Sequence, residues 1–172
     1  MSIPSKPYLI TDFSDFSHQQ WRIVNDSVMG GKSQGQFQIN SEGHAVFLGN
    51  VSLENNGGFT MVKNHESLNL SGYSKILLKV SGDGKKYSFR FQTGESPNNI
   101  HPWSYECRFT SPNEKSAEVI LNLSDFEPVY RGRTPENVPP LDQSKIYRYA
   151  FLISDKQEGN FRLKIESVKA LV

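Results

Sequence analysis

The chain has 172 residues, with 19 Lys and Arg against 18 Asp and Glu and a net charge of +1. That length suits a single domain over residues 1–172, with a core that buries about 70% of the unfolded surface without staples. The near-neutral charge excludes a general affinity for nucleic acid or anionic membrane. Cys107 is the single cysteine, which excludes an internal disulfide framework and a cysteine metal site.

The opening segment, Met1-Ser2-Ile3-Pro4-Ser5-Lys6-Pro7, has neither an apolar run of signal-peptide length nor the Arg-rich pattern of a transit peptide. No segment reaches bilayer-spanning length, so a cytoplasmic protein without membrane insertion is expected. Trp21, read as a core residue, leads into Asn25-Asp26 and then Gly30-Gly31. Adjacent glycines reach backbone angles closed to other residues, which predicts a sharp turn with positive φ at one of the two. Asn25 and Asp26 either fix that turn through backbone hydrogen bonds or present oxygens to a ligand or partner. The Lys-Ser after the glycines does not make a phosphate loop, because the spacing and the following helix are missing.

Period-2 alternation dominates the remainder, and no long helical pattern occurs. Tyr87, Phe89 and Phe91 oppose Ser88, Arg90 and Gln92; Tyr105, Cys107 and Phe109 oppose Ser104, Glu106 and Arg108; Phe161, Leu163 and Ile165 oppose Arg162, Lys164 and Glu166. Each set reads as a half-buried strand. Ala45–Leu48, Ile76–Leu78 and Tyr149–Ile153 are apolar on both sides and read as central strands covered on both faces. Turn signals at Ser41-Glu42-Gly43, Asn55-Asn56-Gly57-Gly58, Ser81-Gly82-Asp83-Gly84 and Glu158-Gly159-Asn160 separate these runs. About nine strands so punctuated predict an all-β antiparallel sandwich or jelly roll.

Two irregular stretches are candidate functional loops. Gly94–Trp103 ends on Trp103, an indole in a polar loop suited to stacking or protein contact. Pro128–Ser144 holds four of the nine prolines and the Arg131-Gly132-Arg133 triplet. Arg131 and Arg133 either bind carboxylate or phosphate or pin the loop through salt bridges. Trp103 and both arginines are expected to rim one end of the sandwich, where loops gather. Arg90, Glu106 and Arg108 share the polar faces of adjacent strands, as a shallow groove or as a solvated set of cross-strand pairs.

No catalytic set emerges. The four histidines lack ligand spacing, there is no Gly-x-Ser-x-Gly elbow, and nothing selects a carboxylate pair from Glu54, Glu106 and the other acids. Cys107 alternates with aromatics as a small core residue, not a nucleophile. Asp12 with Asp15, or Asp83, are the acids that would join a structural calcium site, but no EF-hand-like loop accompanies them. No metal, other cofactor or enzymatic activity is expected.

Several of these blocks resemble, in order, the complex I intermediate-associated protein 30 family. They are Trp21–Gly35, Gly49–Phe59, Gly82-Asp83-Gly84-Lys85-Lys86-Tyr87, Asp125-Phe126 with Arg131-Gly132-Arg133, and Asp155–Phe161, together covering about residues 13–170. The resemblance implies a galactose-binding-like β-sandwich and a role in the assembly of respiratory complex I. The chain is identified as a stand-alone, bacterial-type member of that family. By that resemblance it is a non-enzymatic assembly factor or chaperone for a complex I-like or other multiprotein complex, with a protein partner or assembly intermediate. The alternative is a carbohydrate-binding module with a sugar ligand, since the same fold often binds sugars.

Overall fold

The computed structural model describes residues 6–172. Thirteen strands follow in chain order: β1 (Tyr8–Thr11), β2 (Trp21–Asn25), β3 (Gln34–Ile39), β4 (Ala45–Val51), β5 (Thr60–Leu68), β6 (Lys75–Ser81), β7 (Lys86–Ser96), β8 (Asn99–Ile100), β9 (Ser104–Thr110), β10 (Ala117–Asn122), β11 (Glu127–Val129), β12 (Ile146–Ile153) and β13 (Gly159–Leu171). Four short 3-10 segments, the longest Asp26–Met29, are the only helical elements among the described residues.

The strands form two sheets in which every strand pairing is antiparallel. The first runs β10-β6-β13-β4-β3, with β1 beside the C-terminal half of β13. The second runs β11-β9-β7-β12-β5-β2, with β8 folded back on β7. The chain passes repeatedly from one sheet to the other, which makes the predicted antiparallel sandwich of jelly-roll type. The count of strands exceeds the expected nine because short pieces such as β8 and β11 carry no alternation long enough to register in sequence.

Alternation decides which side chains enter the space between the sheets. Tyr87, Phe89 and Phe91 of β7, Tyr149, Phe151 and Ile153 of β12, and Phe161, Leu163 and Ile165 of β13 are all buried there. Phe89 packs at 5.0 Å from both Phe91 and Phe151, and Phe47 meets Phe161 edge-on at 4.9 Å. Such pairs add about 0.5–1.5 kcal/mol each beyond their area. Trp21 also faces inward, 4.7 Å from Phe37 and edge-on to Tyr149, with its N–H donated to Gln19.

The central apolar run of β12 corrects one expectation. Its outward residues Ala150 and Leu152 are buried, but among the described residues no second layer of strands or helices covers them. Their ladder neighbours on the outer face are long side chains, Lys63 and Arg90 beside Ala150 and Met61 beside Leu152. An extended aliphatic stem shields a small apolar neighbour while its charged head stays at the surface. The outer face of the second sheet is therefore an open, cation-lined surface.

Candidate functional site

The Asn25-Asp26 and glycine motifs meet at one buried carboxylate. Asp26 is 1% exposed and accepts hydrogen bonds from Ser33 N (3.0 Å), Ser33 Oγ (2.6 Å), Gly58 N (2.6 Å) and Phe59 N (3.3 Å). Burial alone would push this carboxyl up; the Ser33, Gly58 and Phe59 hydrogen bonds outweigh it and hold the group below the ordinary carboxylate range. Gly30 takes the predicted left-handed conformation, φ +89°, closing the 3-10 turn. Gly31 and Gly57 serve a different purpose. A Cβ at either would lie 2.3 or 2.5 Å from the Asp26 carboxyl group. The two glycine pairs, far apart in sequence, thus wrap one carboxylate and tie the β2–β3 connection to the β4–β5 connection. Asp26 is the hub of the turn and has no open face for a ligand. Asn25 points elsewhere. Its Oδ1 accepts from Thr60 Oγ1, and it lines a cleft of about 820 Å³ with Gly35, Gly49, Asn50, Asp83 and Arg162.

Trp103 is half-buried against the core. Its indole N–H donates to the Tyr105 hydroxyl (3.0 Å), which donates in turn to the Pro139 carbonyl (2.6 Å), and the His101 ring stacks on it at 4.4 Å. This chain of bonds anchors the Pro-rich stretch. Arg131 and Arg133 follow β11, whose Val129 pairs with Ser104 of β9, and sit in the Tyr130–Arg133 turn that continues past that pairing. Arg131, with φ +51°, sits over the Tyr130 ring at 5.2 Å and shares a concavity with Pro102 and Ser104, the neighbours of Trp103. Arg133 lines a separate recess with Glu106, Arg108, Asp125 and Glu127.

On the outer face of the second sheet, Glu106 is the shared partner of Arg90 (3.0 Å) and Arg108 (3.5 Å), and Arg108 also reaches Asp155 (3.2 Å). Burial lowers the Arg90 guanidinium's affinity for its proton and Glu106 restores part of it, so the pair is a buried, hydrogen-bonded one. The same face extends to residues that the sequence reading passed over. Gln92, Arg148 and His65 sit side by side, as do Arg90, Ala150, Lys63 and Arg22. A concavity of about 220 Å³ opens over Ala150, bounded by Lys63, Arg90, Arg148 and Arg131. The signal was present: Met61, Lys63 and His65 alternate with the buried Val62 and Asn64. It went unread because three strands must be aligned before the cations converge.

Other candidates resolve as structure. Asp12 accepts from Ser14, and Asp83 takes the Tyr87 hydroxyl, Lys85 N and Arg162 N, so these acids fix turns and strand ends. Among the described residues, no group of three His, Cys, Asp or Glu is placed to hold a metal ion, and no helix is long and apolar enough to cross a membrane. Cys107 is half-buried rather than fully in the core; burial, then Asp125, Glu106 and Glu127, push its thiol up and away from the reactive thiolate.

Known proteins resemble this one in sequence and in shape. Residues 11–165 match the family model Complex I intermediate-associated protein 30 (CIA30). An uncharacterized protein of Schizosaccharomyces pombe is 31% identical over 176 residues, covering 91% of this chain and 80% of its own length. Complex I intermediate-associated protein 30, mitochondrial, of Mus musculus is 25% identical over 168 residues; the match takes in 87% of this chain but only 51% of the mouse protein. In shape, the family 11 carbohydrate-binding module of the cellulosomal cellulase Lic26A-Cel5E of Clostridium thermocellum superposes with a TM-score of 0.69 at 13% identity, covering 99% of this chain and 96% of the module. The same module in complex with a β-1,3-1,4-mixed-linked tetrasaccharide gives 0.69 at 14% identity, covering 99% and 97%. At such identities the likeness shows a shared sandwich and no shared ligand. The sequence match over residues 11–165 places this chain in the complex I intermediate-associated protein 30 family.

Proposed function

We propose that this protein is a non-enzymatic protein-binding module that serves as an assembly factor or chaperone for a complex I-like or other multiprotein complex. The observation that carries the reading is family membership across nearly the whole sandwich, together with a mouse relative named for association with a complex I intermediate. The chemistry of the molecule fits a binder. The acids best placed for turn chemistry, Asp26 and Asp83, are saturated by hydrogen bonds, and the lone thiol is held in its unreactive form. Arg131 lines a concavity with Pro102 and Ser104, and Arg is a residue type that dominates protein-binding hot spots.

Affinity capture of the tagged chain from its native cell, followed by mass spectrometry, tests this reading. Recovery of subunits of one multiprotein complex, reduced in Arg131→Ala by about 2 kcal/mol of binding free energy with the fold intact, is the expected result. Absence of any enriched protein would remove the reading.

The sandwich shared with carbohydrate-binding modules motivates a second reading, as a sugar binder. Calorimetric titration with the β-1,3-1,4-mixed-linked tetrasaccharide separates the two. Micromolar binding with no co-purifying protein would favour the sugar.

A further inference from the structure

The outer face of the second sheet carries a charge arrangement that the fold does not require. Arg22 stands directly opposite Lys63 across the β2–β5 ladder, and Arg148 stands opposite His65 across β12–β5. Like charges facing each other, as Arg22 and Lys63 do, destabilise a sheet. Arg90 has Glu106 to answer it, but among the described residues no carboxylate lies within ion-pair distance of Arg22, Lys63 or Arg148. Burial, then Arg148 and Arg22, push the Lys63 ammonium below its ordinary range; burial, then Arg148, Lys63 and Arg22, do the same to His65. A second observation coincides with the first. Among the described residues, five buried polar side-chain atoms lack a hydrogen-bond partner; Arg90 Nε, Arg148 Nε, His65 Nε2 and Ser88 Oγ belong to this one face, and the fifth, His44 Nδ1, lies beside Glu166 of the other sheet. Two of these atoms, Arg90 Nε and Arg148 Nε, belong to residues that line the concavity over Ala150, and buried donors left without partners there mark a place where a ligand supplies acceptors.

We infer that this face binds a carboxylate-rich segment of a protein partner, with Lys63 and Arg148 as central contacts and Arg22 and Arg131 at the rim. The inference rests on the protein-binding reading above and adds the partner's chemistry. Three features select this occupant. Guanidinium groups pair bidentately with carboxylates, and an acceptor-only group satisfies N–H donors that a neutral hydroxyl serves less well. The cations span β2, β5 and β12, which is broader than one small anion needs. The net charge of only +1 keeps the attraction local, favouring a short acidic segment over a long polyanion such as nucleic acid.

Fluorescence anisotropy with a labelled hexaglutamate peptide tests the inference, using the full chain at several salt concentrations. Saturable binding that weakens as salt rises is expected. The double variant Lys63→Gln with Arg148→Gln should bind about tenfold or more weakly, while Arg162→Gln on the other sheet binds as the parent does. The double variant relieves like-charge repulsion, so it should melt no lower than the parent. Should it fail to fold, Arg22→Gln at the exposed rim provides the reading, with a weakening of about threefold expected. No binding of hexaglutamate, equal binding by the variants, or displacement of the peptide by the mixed-linkage tetrasaccharide or by anionic phospholipid vesicles would overturn the inference. Native-partner capture that survives both substitutions overturns it too, while leaving the protein-binding reading in place. Hexaglutamate binding that is lost in the double variant supports the face even where no partner is captured; in that case the broader reading is the one that fails.

Discussion

Replacing Asp26 by Asn is the sharpest test of how the two glycine motifs work. The substitution preserves shape but turns one acceptor oxygen into an NH2 donor. In one amide orientation that donor faces Ser33 N–H; in the other it faces Gly58 N–H and Phe59 N–H. The better orientation leaves one buried backbone donor unsatisfied, costing about 1–3 kcal/mol, and strips charge assistance from the remaining bonds, about 1 kcal/mol more. A neutral amide is cheaper to bury than a charge, which offsets part of the loss. The net expectation is a destabilisation of about 2–3 kcal/mol, a fall in Tm of roughly 4–12 °C for a chain of this size. Asp26→Ala, which abandons all four bonds, should cost about 4 kcal/mol or more. Urea denaturation followed by tryptophan fluorescence measures both. Stability of Asp26→Asn within about 0.5 kcal/mol of the parent would refute the argument that the carboxylate holds the two loops together.

Gly31→Ala should destabilise more than Gly30→Ala in the same urea assay. The former drives a methyl into the Asp26 carboxyl group, whereas the latter meets nothing within 4 Å and costs only the left-handed penalty of about 1 kcal/mol. Acid titration should separate two carboxyl groups of opposite sign. Asp26 is held low in the folded state, so its stabilisation is complete above about pH 4 and is lost as pH falls through its folded pKa; Asp26→Asn should flatten that limb. Glu66 is raised, first by burial, so its proton favours the folded state; its contribution is present below the unfolded carboxyl range and lost as pH rises through the folded pKa. Glu66→Gln keeps an acceptor for Tyr149 and Asn64 and should therefore melt at or above the parent at pH 7. Glu106→Gln should cost about 3 kcal/mol by leaving the Arg90 guanidinium buried without its counter-charge, read by thermal melting.

The sandwich was legible because alternation is a local signal. Tyr87-x-Phe89-x-Phe91 and Phe161-x-Leu163-x-Ile165 define buried faces within a single strand, and all six residues are buried as that pattern requires. The turn at Gly30 was legible for a similar reason, since a left-handed residue is a property of a few neighbouring bonds. The remainder depended on contacts between distant segments. Gly31 and Gly57 look alike in sequence to glycines chosen for φ, yet both are needed because Asp26, 31 residues before Gly57, occupies the space of their missing side chains. Trp103 read as a loop aromatic free to stack on a partner; the Tyr105 hydroxyl, two residues on, and the Pro139 carbonyl engage it in the structure instead.

The outer face of the second sheet shows why a fold cannot lend its ligand to every sequence that adopts it. A neutral sugar needs aromatic surface beside polar groups. The two ladder rows over the concavity hold Arg90, Ala150, Lys63 and Arg22, then Gln92, Arg148 and His65, with no Phe, Trp or Tyr in either. Tyr130, 38% exposed, stands at the rim, and Arg131 already covers its ring. A neutral saccharide entering here would leave three cations without a counter-charge and would have to displace their hydration for hydroxyl contacts alone. A carboxylate entering the same space relieves the repulsion among Arg22, Lys63 and Arg148 and supplies acceptors to the buried Arg90 and Arg148 Nε groups. The like-charge cost is paid in the free protein and recovered on binding, so affinity and stability should move in opposite directions when these cations are neutralised. A sheet whose cations served only solubility would show no such trade, because exposed and dispersed charges change stability little when removed.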